Sequence, residues 1–168
     1  MDGQADLPIM SVMQRVERDH QTFSWLVGNW NLDGATTDDS PWRAGKFTAT
    51  QRVESMGDGQ MLKSHLQYRG HFNDSSQDEF FGVDPDTKRL SYHAFSTTGI
   101  MLTAEGEYAD DRSAHQGTKL SWTSTRTNLQ GEQFTSTYTI KQTAPHEYEF
   151  SLEGADGKVW MHGKAQRQ

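Results

Sequence analysis

From residue 27 onward, apolar and polar residues alternate in short segments, and turn-forming residues separate these segments about every ten positions. The turn signals include GDG at 57–59, DPD at 84–86 and DG at 156–157. A period of two is typical of a strand whose two faces meet different environments. The sequence therefore predicts a series of antiparallel hairpins.

The segments predict about ten strands. We place them at roughly 27–34, 44–56, 60–72, 78–83, 88–95, 99–108, 118–127, 132–142, 146–153 and 158–166. A flat sheet of this size would leave two exposed edges, which closure into a barrel removes. We therefore predict an all-β fold, a closed antiparallel barrel of about ten strands. A two-sheet sandwich is the alternative.

The chain before the first strand has a different period. In "LPIMSVMQRVERDHQTFSWL" the apolar residues recur at helical spacing, with Asp6 as a possible cap and Pro8 in the first turn. This pattern predicts a helix at about 8–22 that caps one end of the barrel. We expect a single domain over 1–168, with the barrel at about 27–167.

Composition and charge limit the classes of partner. The net charge is -7 with no basic block, which argues against nucleic acid and anionic membranes. The chain has no Cys, so disulfides and thiol catalysis are excluded. No apolar run reaches the length of about 18 residues needed for a membrane span. Compartment and oligomeric state stay open: a cytoplasmic protein, a mature periplasmic one and a homo-oligomer are all compatible with the sequence.

Strand alternation assigns an apolar side that we expect to point inward, and a polar side that we expect to face solvent. A ten-stranded barrel is wider than an eight-stranded one, whose interior side chains can just fill it. We therefore expect a cavity in the lumen. The function that this favours is binding of a small, mainly apolar molecule.

Several polar residues are predicted to point into this lumen. Arg126 shares a side with Leu120 and Trp122, where a charge needs an anionic partner or water. It would recognise an acidic group of the ligand, or it lies at the rim and reaches solvent. The other candidate ligand-binding residues are Gln51, Tyr68, Tyr92, Tyr138 and Tyr148. They would orient a ligand through hydrogen bonds, unless they are core residues that bond the backbone.

Three sequence features resemble a known family. They are "LVGNW" at the first strand, "FFGVDPDTKRLSYHAFSTTGIMLTAEGEY" in the middle, and Arg167 after the last strand. From about 18 to 167 the chain resembles the DUF1579 family of bacterial lipocalin-like proteins, although Ala165 stands where that family has a Tyr. The resemblance implies a calycin-type barrel, and more distantly the nitrobindin fold. It also implies that Trp30 plugs the barrel base and packs against Arg167.

The nitrobindin likeness raises haem as a cofactor. Nitrobindins hold haem through a His near the chain end, and His162 stands in a similar place. Alternation puts His162 on the outer face unless a bulge reverses it, so we expect no cofactor, with haem as the alternative. We expect no metal site either. His65 and His71 are too far apart on one strand to share an ion, and the sequence has no H-x-H or H-E-x-x-H.

Three functions therefore remain, and the fold alone does not decide between them. The first is a small-molecule binding protein. The second is an enzyme on the same fold, either a haem-dependent isomerase or an acid–base cyclase or isomerase that uses lumen Tyr and Arg. The third is a structural role in which side chains fill the lumen.

Overall fold

The computed structural model describes residues 24–57, 61–70, 74–84, 87, 89–99, 101–111, 117–127, 131 and 133–168. The predicted helix at 8–22 lies outside the described residues. The described chain begins with a short 3-10 turn, Ser24–Leu26, directly before the first strand. It contains no helix that is long and apolar enough to cross a bilayer.

Ten antiparallel strands form a closed barrel, which confirms the predicted barrel class. Each strand pairs with its neighbours in sequence, and β1 pairs with β10 to close the sheet. Closure leaves no unpaired edge, as the edge argument requires. The strands are β1 Gly28–Thr36, β2 Gly45–Met56, β3 Met61–Gly70, β4 Ser76–Val83, β5 Leu90–Ser96, β6 Met101–Asp111, β7 Gly117–Thr127, β8 Gln133–Ala144, β9 Glu147–Gly154 and β10 Val159–Arg167.

The inward faces form one continuous core, but its chemistry differs from the prediction of an apolar interior. Most buried side chains are apolar, as alternation predicts. Buried polar side chains share the lumen with them: Gln51, Ser64, Glu79, Ser124 and Ser136. The interior is therefore a mixture of apolar and polar side chains. The polar ones are tolerated there because each has a hydrogen-bonding partner inside the barrel.

Alternation puts Phe134 and Val159 on the apolar, inward sides of their strands, but both side chains are exposed. Val159 precedes a register shift between Val159 and Met161 in the β10–β9 pair, and this bulge separates the faces of the two residues. Phe134 lies at the second position of β8, where the strand begins at the end of the barrel. Alternation alone does not detect a bulge, nor does it show which residues lie at the open end of the barrel, where inward-facing side chains can reach solvent.

Trp30 and Arg167 meet at one end of the barrel. Trp30 is fully buried and is the cross-strand partner of Arg167. The guanidinium carbon of Arg167 lies 4.5 Å from the centroid of the Trp30 ring. Its Nη1 donates to the carbonyl of Val27 at 2.7 Å, and Nη2 donates to the carbonyl of Trp25. Trp30 Nε1 donates to the carbonyl of Leu26 at 2.8 Å. These contacts join the first and last strands to the turn before β1.

Gly28 permits this arrangement. Its φ is 140°, a backbone conformation that L side chains rarely adopt. A Cβ at this position would lie 2.5 Å from Nη1 of Arg167, well inside contact distance. The Gly of "LVGNW" is therefore explained by the space that the Arg167 side chain occupies.

The two halves of the lumen are packed differently. At the Trp30 end, the ring of Tyr148 lies 5.0 Å from the Trp30 ring and 6.0 Å from the Trp25 ring. The inward positions of β5 to β8 instead carry several small side chains: Ala94, Ala104, Ser124 and Ser136. Aromatic rings thus fill one end, whereas small side chains leave space towards the other.

Candidate ligand-binding site

A cavity of about 360 Å³ lies beside the small side chains of β5 to β8. This volume is at the lower end of the range of about 300–1,000 Å³ for small-molecule sites. Four aromatic side chains supply much of the wall: Tyr68, Tyr92, Trp122 and Tyr138. Trp42, Ser75 and Thr98 also line the cavity, which places it towards the end of the barrel that carries the β1–β2, β3–β4 and β5–β6 loops.

Glu79 is the acidic side chain of this cavity. It is an inward residue of β4 and is 6% exposed. Tyr92 Oη donates to its Oε1 at 2.7 Å, and Gln77 Nε2 donates to the same oxygen at 2.8 Å. The hydroxyl of Ser64, its cross-strand partner on β3, also hydrogen-bonds the carboxyl. Three donors therefore converge on a carboxyl that is largely shielded from water.

Burial controls the charge of this group. Desolvation raises the pKa of the Glu79 carboxyl above its ordinary value of 4.5, and the hydrogen bonds from Tyr92, Gln77 and Ser64 offset only part of that effect. Among the residues that the structure describes, no Lys or Arg forms an ion pair with Glu79. The carboxyl therefore binds a proton more readily than a surface Glu does.

The lumen tyrosines remain neutral phenols. Burial, and then the charge of Glu79, raises the pKa values of Tyr68 and Tyr92. Burial is also the main cause for Tyr138 and Tyr148, whose pKa values rise with a further contribution from the Glu79 charge. As uncharged hydroxyls, they can donate or accept a hydrogen bond.

A chain of hydrogen bonds connects Glu79 with the packed end of the barrel. Tyr148 Oη donates to Gln51 Oε1 at 2.5 Å, and Gln51 Nε2 donates to Ser64 Oγ at 2.9 Å. Ser64 in turn contacts Glu79. Of the predicted ligand-binding residues, Tyr68, Tyr92 and Tyr138 line the cavity. Gln51 and Tyr148 lie behind it and hold Ser64 in place.

Trp122 connects the aromatic walls. Its ring stacks on Tyr138 at 5.9 Å and 23°, and lies 5.5 Å from Tyr92 and 5.9 Å from Phe81. The Nε1–H of Trp122 is buried and has no acceptor among the described residues. Since buried donors are usually paired, this N–H is an exception among the described residues.

Arg126 and His162 are the remaining predicted site residues. Arg126 lies in β7 opposite Phe134 of β8, and its side chain is outside the described residues. Its role towards an acidic ligand stays a prediction. His162 is exposed on the outer face of β10, where Ala35 and Ser151 are its cross-strand partners.

Haem does not fit these residues. The bulge in β10 lies before His162, between Val159 and Met161, and so does not turn this imidazole inward. The other described histidines are also exposed: His65, His93 and His146. No group of three or more potential metal ligands occurs among the described residues.

The sequence reasoning missed Glu79 for a local reason. In "QDEFFGV", Phe80 and Phe81 are adjacent, so the two faces of β4 look equally apolar. Phe81 points inward, whereas Phe80 packs outside against Phe95 at 6.3 Å. The signal was in the neighbouring strand: Leu62, Ser64 and Leu66 form its inward face, and Glu79 is the register partner of Ser64.

The barrel is similar to solved structures. Rv2717c from M. tuberculosis superposes with a TM-score of 0.66 at 14% identity, over 88% of this chain and 96% of that one. A redesigned β-barrel, b11L5F_LGL, superposes with a TM-score of 0.47 at 13% identity, over 88% of this chain and 95% of that one. The redesigned barrel mFAP1, bound to DFHBI, superposes with a TM-score of 0.36 at 14% identity, over 89% of this chain and 99% of that one. Of these three, Rv2717c alone is similar enough to support an argument, and its likeness shows the fold alone. No protein-family model and no curated protein sequence matches the chain.

Proposed function

We propose that this barrel binds a small, mainly apolar molecule in its lumen. The observation that carries the proposal is the cavity of about 360 Å³, whose walls combine aromatic rings with a few convergent polar groups. Lumen sites with this composition gain affinity from the apolar walls and orientation from the polar groups.

The energetics of Glu79 favour binding over a purely structural role. A buried carboxyl destabilises a fold unless its hydrogen bonds compensate, and an apolar residue of similar size would avoid that penalty. Here the carboxyl lies beside small residues that leave space, such as Ala94, its register partner. A barrel selected only for stability would fill this volume with apolar side chains.

The test is to fill the cavity. Ala104 is 6% exposed and lines the lumen, so Ala104→Leu would occupy part of the space. We expect the wild-type protein to bind 1-naphthylmethanol, a small neutral aromatic probe, in isothermal titration calorimetry. We expect Ala104→Leu to lose most of this binding. The control is Thr103→Leu, which makes a similar change at the adjacent, exposed position of β6. Equal binding by both variants, or none by the wild type, would contradict the proposal.

An acid–base isomerase is the second candidate. It is favoured by the carboxyl of Glu79, whose raised pKa suits a group that gives and takes a proton, and by the adjacent phenol of Tyr92. We would incubate cyclic ketones with the protein in D₂O. Deuterium uptake beside the carbonyl that disappears in Glu79→Gln would support catalysis, and its absence would favour binding alone.

Membership of the DUF1579 family is also a proposal. Its support is the pairing of Trp30 with Arg167 at the packed end of the barrel, which the G-x-W resemblance leads us to expect. The haem-dependent enzyme is not proposed, because His162 faces solvent.

A further inference from the structure

We propose that the ligand of this lumen is a small organic amine, and that its ammonium group binds against Glu79 between the rings of Tyr92, Tyr138 and Trp122. The inference rests on the proposed binding function and names the chemical class of the ligand. It differs from the acidic ligand that Arg126 suggests in the sequence.

The first argument is the charge that Glu79 can form. Its carboxyl is 6% exposed and has no Lys or Arg partner among the described residues. A neutral ligand would displace water from the carboxyl without supplying a counter-charge, and an anionic ligand would be repelled by the ionised carboxylate. An ammonium group would supply both a counter-charge and N–H donors, and charge-assisted hydrogen bonds of this kind are the stronger ones.

The second argument is the aromatic wall. Trp122 stacks on Tyr138 and also packs on Tyr92, so the three rings form one connected surface that lines the cavity. Aromatic faces attract cations, most strongly when the cation is desolvated. Tyr92 belongs to both features, because its hydroxyl bonds Glu79 while its ring contacts Trp122. Carboxyl and rings therefore act on the same small volume.

The remaining polar groups suit the rest of the molecule. Ser124 and Ser136 line the cavity, and their hydroxyls would pair with a hydroxyl or ether oxygen on the ligand. Ala94, Ala104 and Leu102 also line the cavity and would contact its apolar body. The cavity volume limits that body to about the size of one or two rings.

Proton linkage gives the inference a second signature. Among the described side chains, the titratable groups that face Glu79 are phenols, which burial keeps neutral: Tyr68 on β3, Tyr92 on β5, Tyr138 on β8 and Tyr148 on β9. An ammonium ligand stabilises the carboxylate and so lowers the pKa of Glu79 in the complex. Binding should therefore release a proton where free Glu79 is protonated, and affinity should fall as the pH falls through the pKa of the free protein.

The experiment compares three probes of nearly equal size by calorimetry: 1-naphthylmethylamine, 1-naphthylmethanol and 1-naphthoate. We expect the wild type to bind the amine most tightly and the carboxylate most weakly. Glu79→Gln keeps the size of the side chain but removes its charge. This substitution should weaken binding of the amine by about 10- to 100-fold, as expected for the loss of a charged hydrogen bond, and should leave the affinity for the alcohol almost unchanged. The matched control is Glu105→Gln, since Glu105 is exposed outside the barrel and paired with Arg89 at 3.1 Å.

The outcomes separate the two proposals. If none of the probes binds, the lumen-binding function fails. If the alcohol binds and the amine binds no tighter, the function stands and the amine inference is overturned. A preference for 1-naphthoate that disappears in Arg126→Met would also overturn it, in favour of the acidic ligand. If Glu79→Gln does not fold, wild-type titrations decide at pH 4.5, where free Glu79 is mostly protonated because its pKa is raised. In two buffers of different ionisation enthalpy, proton release with the amine and none with the alcohol supports the inference, and absence of release with the amine overturns it.

Discussion

The guanidinium of Arg167 lies 4.5 Å from the centroid of the Trp30 ring and hydrogen-bonds two backbone carbonyls of the segment before β1. The last strand is thereby connected to the first strand and to the turn that leads into it. This contact closes one end of the barrel, whereas the cavity lies towards the other.

Loss of the Arg167 contacts should destabilise the barrel. Arg167→Met retains part of the packing on Trp30 but leaves the carbonyls of Val27 and Trp25 without their donors. We expect the free energy of unfolding to fall by about 3 kcal/mol, from lost charged hydrogen bonds and the cation–π contact. Urea denaturation measures this. Arg69→Met, at an exposed position of β3, is the control and should change little. Similar losses in both variants would show that the Trp30 contact has no special role.

Gly28→Ala should destabilise the protein less when Arg167 is shortened. Gly28→Ala places a Cβ 2.5 Å from Nη1 of Arg167 and strains a backbone with φ of 140°. We expect a loss of about 2 kcal/mol or more in the wild type. In an Arg167→Met background the steric part disappears, so the two losses should not add.

Gly157 provides the control for this pair of substitutions at Gly28 and Arg167. Its φ is 76°, but a Cβ there would meet nothing within 4 Å. Gly157→Ala should therefore show backbone strain alone, and its effect should be additive with Arg167→Met. Additivity at Gly28 as well would argue against the steric explanation.

Glu79 should make stability depend on pH in a direction opposite to that of most carboxyls. Its pKa is raised in the folded protein, so the folded state binds the proton more tightly than the unfolded state. The contribution to stability is full below the ordinary pKa of 4.5 and is lost as the pH rises through the raised pKa. Glu147, a partly exposed carboxyl whose pKa is lowered by its hydrogen bond to Thr143, acts in the opposite sense.

The difference between wild type and Glu79→Gln isolates this contribution. We expect the stability of the Gln variant, relative to wild type, to increase as the pH rises from 4.5 through the raised pKa. Thermal denaturation at several pH values gives this difference. A difference that stays constant with pH would mean that Glu79 titrates as it does in the unfolded chain.

The sequence was sufficient for the barrel because period-two alternation and turn residues are local signals. The number of strands favoured closure and left a two-sheet sandwich as the alternative, since ten strands in one open sheet would expose edges; the structure shows the closed barrel. The inward faces of Tyr68, Tyr92 and Tyr138 followed from the same alternation. The predicted strand boundaries differ from the observed ones by a few residues; β6, for example, spans Met101–Asp111 where 99–108 was expected.

The site was harder to predict, because it depends on registers between strands. Glu79 becomes a lumen residue only when β4 is aligned with Ser64 of β3 and Ala94 of β5. The adjacent Phe80 and Phe81 conceal that alignment within β4 itself. The chain from Tyr148 through Gln51 spans 97 residues in sequence at its first hydrogen bond, and no local pattern encodes such a contact.

The most direct test of the lumen as the binding site uses the indole N–H signals of the five tryptophans in a ¹H–¹⁵N NMR spectrum. During titration with 1-naphthylmethylamine, we predict a large shift of the Trp122 signal, because its N–H is buried, lacks an acceptor among the described residues, and belongs to a ring that lines the cavity. The Trp30 signal, whose N–H bonds the Leu26 carbonyl at the packed end, should hardly move. Saturable binding that leaves Trp122 unchanged would contradict the account.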